Sequence, residues 1–212
     1  MLLARSVHGV SIGDDMVLLD TRLGEYFCLP DAAAAFATDP RGVRVLDPEL
    51  ADDLATMSLS GAIESHDRSA LPALATADLA GLGPARLDHG SWLSGGRAYA
   101  TMVGRFYGKP FSHIIDYARR HAPDQRLSLL DDDLVDCVAK FRSLLPWAPF
   151  PGVCLYRSFL LLAFLRRAGF DATWMFGVRT WSFEAHCWLQ IGDTVIDDRA
   201  DRIVGYTPIM AV

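Results

Sequence analysis

The sequence predicts an α+β fold in two parts, and three observations support it. Short apolar bursts separated by turn residues fill positions 7–29, helical periodicity dominates between 91 and 167, and strand patterns take over after Gly169. Strands and helices are thus segregated along the chain instead of alternating, which points away from a parallel α/β sheet.

The bursts VHGVSIG, DMVLLD and GEYFCL are divided by Gly13-Asp14-Asp15 and by Thr21-Arg22-Leu23-Gly24, the pattern of a three-stranded antiparallel meander. A helix is expected from Asp31 over the alanine run that follows, with Asp31 as its N-cap. A second is expected from Pro48, with Asp47 as N-cap and Leu50, Leu54 and Met57 at helical spacing. The Ala-, Gly- and Pro-rich stretch 70–90 reads as a linker. Helices follow over 91–107 and 111–121, broken by Gly108-Lys109-Pro110, and over 131–145, whose first turn carries aspartates where the helix dipole favours them. A further helix begins at Cys154. Beyond Gly169 come two strands, a turn at Gly192-Asp193 and a third strand, TVIDD. The domain boundary implied is at 80, with 91–145 the helical part and 151–212 the core of the second domain.

Charge limits the partners. Residues 1–80 hold 13 acids against 5 Arg or Lys, a balance of −8, while the remainder comes to +2. An acidic N-terminal part repels phosphate backbones, so nucleic acid is not expected as a partner. Cys28, Cys137, Cys154 and Cys187 form no CxxC pair and no zinc spacing, so neither a metal site nor a disulfide scaffold is expected, and a reducing cytoplasm is the expected location. The longest apolar run, Val153 to Leu165, is short for a bilayer and carries Arg157, so no transmembrane segment is expected.

The chemistry gathers between 154 and 199. Cys154 stands at a helix start, where free N–H groups and the positive dipole end stabilise a thiolate and could hold an oxyanion. His186 lies in a strand with Trp188 on the same face. Asp197 and Asp198 follow the turn and point to opposite faces. A two- or four-residue loop puts Asp197 on the face of His186, whereas a three-residue loop or a bulge puts Asp198 there. A thiol, an imidazole and a carboxylate in this order suit nucleophilic catalysis. Cys187 points to the opposite face from His186 and is read as structural, as are Cys28 and Cys137.

These residues resemble the transglutaminase-like cysteine peptidase of lasso-peptide biosynthesis B proteins. That family shows Cys-Leu-x-Arg-Ser at a helix start, a Gly at its end, a Gly-Val strand, then His-Ala-Trp-x-Glu, a Gly turn and Val-x-Asn-Asp. The matching residues here are Cys154-Leu155-Tyr156-Arg157-Ser158, Gly169, Gly177-Val178, His186-Cys187-Trp188-Leu189-Gln190, Gly192 and Asp197-Asp198. The chain departs from the pattern at Cys187 (for Ala), Gln190 (for Glu) and Asp197 (for Asn). The resemblance implies Cys154 as nucleophile, His186 as base and Asp198 as third member, with Asp197 the alternate.

The N-terminal 80 residues resemble the PqqD-like recognition element fused to such peptidases, a small winged-helix-like domain. The resemblance implies that a leader peptide is captured on the third strand by Gly24, Glu25, Tyr26, Phe27, Cys28 and Leu29, with Leu54 from the later helix completing the groove. It implies leader removal from a ribosomally made precursor, with the freed core passed to an asparagine-synthetase-like lasso cyclase. No cofactor is expected. No GxxxxGK[ST] occurs, so ATP use is assigned to the cyclase.

Overall fold

The computed structural model describes residues 1–39, 42–61, 71–120, 130–149 and 152–212. The end of the expected helix 111–121 and the first residue of the expected core 151–212 lie outside the described residues.

The structure is α+β, with helices packed on antiparallel sheets. The meander forms as the spacing predicts: β2 (Val7–Ile12), β3 (Asp15–Asp20) and β4 (Glu25–Leu29) pair antiparallel in that order. Its central strand is buried along its whole length, because alternate residues enter two different cores. Met16 and Leu18 join a small N-terminal core, and Val17 and Leu19 join the main one.

The helix expected from Asp31 is absent. Asp31 has a φ of 55°, a single 3₁₀ turn covers Ala33–Ala35, and the chain then runs into β5 (Phe36–Asp39). This strand pairs with β6 (Gly42–Val45), which pairs with β1 (Leu2–Leu3), and β1 pairs in turn with β7 (Ser60–Gly61). The alanines have helical propensity, but Phe36, Val43 and Val45 bury more apolar surface as a hairpin on the small core than a short exposed helix could. Among the described residues the N-terminal region therefore carries one α-helix where two were expected. That helix, α1 (Pro48–Thr56), starts as predicted, with the Asp47 side chain accepting from the backbone N–H groups of Glu49 and Leu50.

Stretch 70–90 is not only a linker. Its β8 (Ala77–Asp78) pairs in parallel with β11 (Thr194–Val195), and Asp193 accepts from the Thr76 N–H and hydroxyl. Ala75 is buried with Trp188 and Tyr206. The segment before residue 80 thus edges the C-terminal sheet, and the boundary at 80 cuts through it.

Helices α2 (His89–Arg105), α3 (Phe111–Arg120), α4 (Asp132–Leu144) and α5 (Cys154–Arg167) cover one face of that sheet. The sheet order is β12-β9-β10-β11-β8, with β9 (Thr173–Arg179), β10 (Glu184–Ile191) and β12 (Thr207–Ala211) antiparallel neighbours. A short helix, α6 (Ala200–Ile203), and residues 74–75 close the other face. Among the described residues no helix is long and apolar enough to cross a membrane.

Candidate active site

Helix α5 is apolar on all sides along its middle because it lies between α2, α4 and the sheet, and its polar residues stand near its two ends, Arg157 and Ser158 at the first and Arg166 and Arg167 at the last. Its N-cap, Val153, has an extended backbone and no capping side chain, so among the described residues no side chain caps the first N–H groups of the helix. Gly152 turns the chain into the helix at a φ of +62°, beneath the Tyr156 ring. A Cβ on Gly152 would come within 2.6 Å of Tyr156 Cβ, so a side chain there is excluded by both backbone and space. Cys154, half-buried, follows directly.

The partner of this helix end is strand β10. Its pairing with β11 involves only Gln190 and Ile191, so along Glu184–Trp188 its edge away from β9 carries no strand among the described residues. The start of α5 reaches this gap. The Cys187 N–H is directed out of the ladder, as the Leu189 N–H is toward Asp197, and with the Cys187 thiol it stabilises the Cys154 thiolate. His186, one residue earlier, belongs to the opposite face. Its ring stacks on Trp188 at 6.1 Å and 28° and lies 5.2 Å from the Tyr206 ring. The cross-strand partner of His186 is Gly177. A Cβ at Gly177 would meet the Trp188 ring at 2.9 Å, so glycine makes the room in which the indole supports the imidazole.

Asp198 completes the array. Its Oδ2 lies 2.6 Å from His186 Nε2, which leaves Nδ1 for the thiol. The turn at Gly192-Asp193 has two residues, since Ile191 faces Thr194. Strand parity alone would then place Asp197 beside His186. The strand stops at Val195, however, and the chain bends. Asp197 turns inward to accept from Leu189 N at 2.8 Å and from Ser158 Oγ at 2.5 Å. The bend carries Asp198 to the imidazole. The acidic pair has therefore divided its roles between the strand and the histidine.

Electrostatics follow from these contacts. Hydrogen bonds from the Cys187 thiol lower the Cys154 pKa most. Burial opposes them, His186 and the Cys187 N–H reinforce them, and the pKa falls to about 4. Burial alone would lower His186, but its bonds to Asp198 and Cys154 outweigh that and raise it to about 9. Burial raises Asp198 too, yet the His186 bond and the Arg199 N–H hold it below the usual carboxylate range. Burial lifts Asp197 to about 6, opposed by Ser158 and Leu189. Thiolate and imidazolium thus coexist from about pH 4, where the thiol deprotonates, to about pH 9, where the imidazolium loses its proton. Burial pushes the thiols of Cys28, Cys137 and Cys187 upward. Iodoacetamide at pH 6 is accordingly expected to label Cys154 alone among the four, as read by peptide mass spectrometry. Labelling spread evenly over the cysteines, or beginning only above pH 8, would contradict the ion pair.

A polarised thiolate at a helix start, an imidazole in an adjacent strand and a carboxylate after the next turn now stand in one place. The sequence model of the transglutaminase-like superfamily matches residues 103–211, from within α2 to the end of β12. The chain belongs to the transglutaminase-like superfamily. This superfamily includes cysteine peptidases and transferases, and cysteine protease activity is common in it. No curated protein and no solved structure matches the chain significantly. All the elements of the array lie inside the matched region, and the meander lies outside it.

The residues proposed for leader capture are spread over several environments. Glu25 is exposed, and β4 pairs only with β3, so its outer edge has no strand neighbour among the described residues. Gly24 abuts Phe111 of α3. Phe27 and Leu29 face the small core, and Tyr26 and Cys28 the main one. Leu54 lines no groove: it is 3% exposed inside the small core, because α1 turns this side of its apolar stripe inward.

Four residues gain a part that sequence reasoning did not assign. Cys187 touches the thiol from the face expected to be remote, because the gap in β10 lets α5 approach the strand edge. Arg157 and Ser158 each hold one aspartate, a pairing their place beside Cys154 could have suggested. Tyr26, from the meander's third strand, packs against the same core as Cys154 and Cys187, and burial raises its phenol, with the charges of Cys187 and Cys154 adding to the effect. Among the described residues no group of three or more His, Cys, Asp or Glu is arranged to hold a metal.

Proposed function

We propose that this protein is a cysteine peptidase that binds the leader of a ribosomally made lasso-peptide precursor and cleaves it from the core. The observation that carries the peptidase part is the Cys154–His186–Asp198 array, with His186 Nε2 held 2.6 Å from Asp198 and the thiol already polarised. The Cys154 thiolate attacks the scissile carbonyl, and the oxyanion faces the uncapped N–H groups of α5. As the C–N bond breaks, the imidazolium gives its proton to the leaving amine. His186 then takes a proton from water, which hydrolyses the thioester to a leader acid and restores the thiol site.

Leader capture is supported by the open edge of β4, where an extended peptide can add as a strand, and by the packing of Tyr26 against the same core as Cys154. Tethering the leader there raises the concentration of the scissile bond at Cys154. The −8 balance of residues 1–80 counts against the rival reading of a nucleic-acid module. The freed core amine is then the substrate of a synthetase-like lasso cyclase, which uses the ATP. Four free thiols suit a reducing cytoplasm as the place of action.

The test is to mix the protein with a lasso-peptide precursor, sought among the short reading frames beside its gene, and analyse the products by mass spectrometry. A free leader acid and a free core amine support hydrolysis. A new amide between the leader acyl group and an added amine makes the protein an acyl transferase on the same thiol. An unchanged precursor that binds but is not cut makes it a presenting protein.

A further inference from the structure

We propose that Arg157 is the positioning residue of the site, holding Asp198 against His186 so that one turn of α5 sets both the nucleophile and the carboxylate that orients its base. The inference rests on the reading of Cys154, His186 and Asp198 as the reactive array, but not on the identity of the substrate.

Asp198 lies beyond the last residue of β11, in a bend that no strand pairing holds. Its Oδ1 accepts the Arg199 N–H at 2.9 Å, and its Oδ2 alone serves the imidazole. Behind it lies a cavity of about 320 Å³ that Arg142, Arg157, Asp197 and Arg199 help to line. The carboxylate therefore has space to turn away from His186. Two cations approach the same Oδ2, each at 3.5 Å: Arg157 Nη2 from α5 and Arg202 Nη1 from α6. They differ in setting. The Arg202 side chain is 54% exposed and that of Arg157 is 29% exposed. A solvated arginine restrains little, whereas a packed one keeps its geometry.

Arg157 also bears a cost that an apolar residue would avoid. Its Nε is buried without a hydrogen-bond partner. A residue needed only to fill the first turn of α5 would be better apolar, so the guanidinium is there for its terminal nitrogens. Ser158, the next residue, pins Asp197, which in turn holds the Leu189 N–H of β10. Helix α5 thus reaches the strand through Asp197 and the imidazole through Asp198, with Cys154 three residues away from the second anchor. The titratable and charged groups facing the array are Cys154, Cys187, Tyr206, Asp197, Asp198, Arg142, Arg157 and Arg202.

The discriminating readout is the titration of His186, followed by its ring proton resonance in NMR and assigned by its loss in His186→Gln. If Arg157 only balances charge, its removal leaves the carboxylate more attractive and the His186 midpoint rises. If it positions, Asp198 swings into the cavity and the midpoint falls. Arg157→Met is expected to lower the midpoint by about one pH unit or more, since one unit corresponds to the loss of a well-placed charged hydrogen bond. Arg157→Lys keeps the charge but loses the fork and is expected to fall as well, while Arg202→Met shifts it less. A midpoint that stays or rises in Arg157→Met, or one that Arg157→Lys leaves at the wild-type value, overturns the proposal. Should Arg157→Met fail to fold by circular dichroism, Arg157→Lys decides the question alone. The titration needs no substrate, so it stands even if the precursor is not cleaved. A wild-type His186 that titrates in the ordinary histidine range would instead refute the array itself.

Discussion

Cys154→Ala is expected to abolish precursor cleavage while leaving precursor binding intact. Loss of a nucleophile that acts as a unit with its base costs on the order of 10⁴- to 10⁶-fold in rate. No neighbouring group is placed to compensate. Cys187 touches Cys154, but it is 2% exposed and its pKa lies well above the usual thiol range, so it is protonated at neutral pH. It also projects to the opposite face of β10 from His186. The leader strand, if it adds to β4, meets none of the atoms removed. The measurement is single-turnover cleavage by mass spectrometry beside retention of labelled leader on the variant. Cleavage above about one part in a hundred of the wild-type rate would assign the nucleophile elsewhere.

Trp188→Ala is expected to cost about 3–5 kcal/mol of stability, the range for deleting a buried aromatic from a packed core. The side chain is fully buried among Met175, Val195, Ile203 and Tyr206. Its Nε1 donates to Gln190 Oε1 at 3.1 Å, so the substitution also removes a buried partner of that amide. Gly177 cannot fill the space left, since it has no side chain. The His186 ring loses its stacking surface, so the thiol should react more slowly at pH 6 than in the wild type even where the variant remains folded. Urea unfolding followed by circular dichroism gives the first number, and iodoacetamide kinetics the second. A loss below about 1 kcal/mol would mean that the sheet repacks around the vacancy.

Much of the local structure was legible in the residues. Asp47 before Pro48 marked a helix start, and Gly192-Asp193 marked a turn, though not its length of two residues, because caps and turns are made by side chains and φ angles within a few positions of one another. The run 31–36 misled for the opposite reason. Its alanines favour a helix weakly, and burial of Phe36 against Val43 and Val45 is a non-local gain that overrides propensity. Strands β8 and β12 were invisible for a related reason. Two- and five-residue segments carry little periodicity, and their pairing partners lie more than 25 residues away. The site was legible as a set of residue types and only partly as a set of contacts. The order of thiol, imidazole and acidic pair was written in the chain, but the contact of Cys187 with Cys154 depends on a gap in β10 that no local pattern records.

By itself, then, the sequence determined where a thiol meets a free helix end, which strand carries the histidine, and that an acid pair follows a tight turn. Each of these depends on neighbours a few residues apart. Only the tertiary structure decided which aspartate serves the histidine. Parity along an unbroken strand selects Asp197, but β11 ends at Val195. Ser158 and the Leu189 N–H then draw Asp197 inward, and the bend delivers Asp198 to His186. The choice rests on where a strand stops, which is set by what the next helix and strand offer its backbone and side chains.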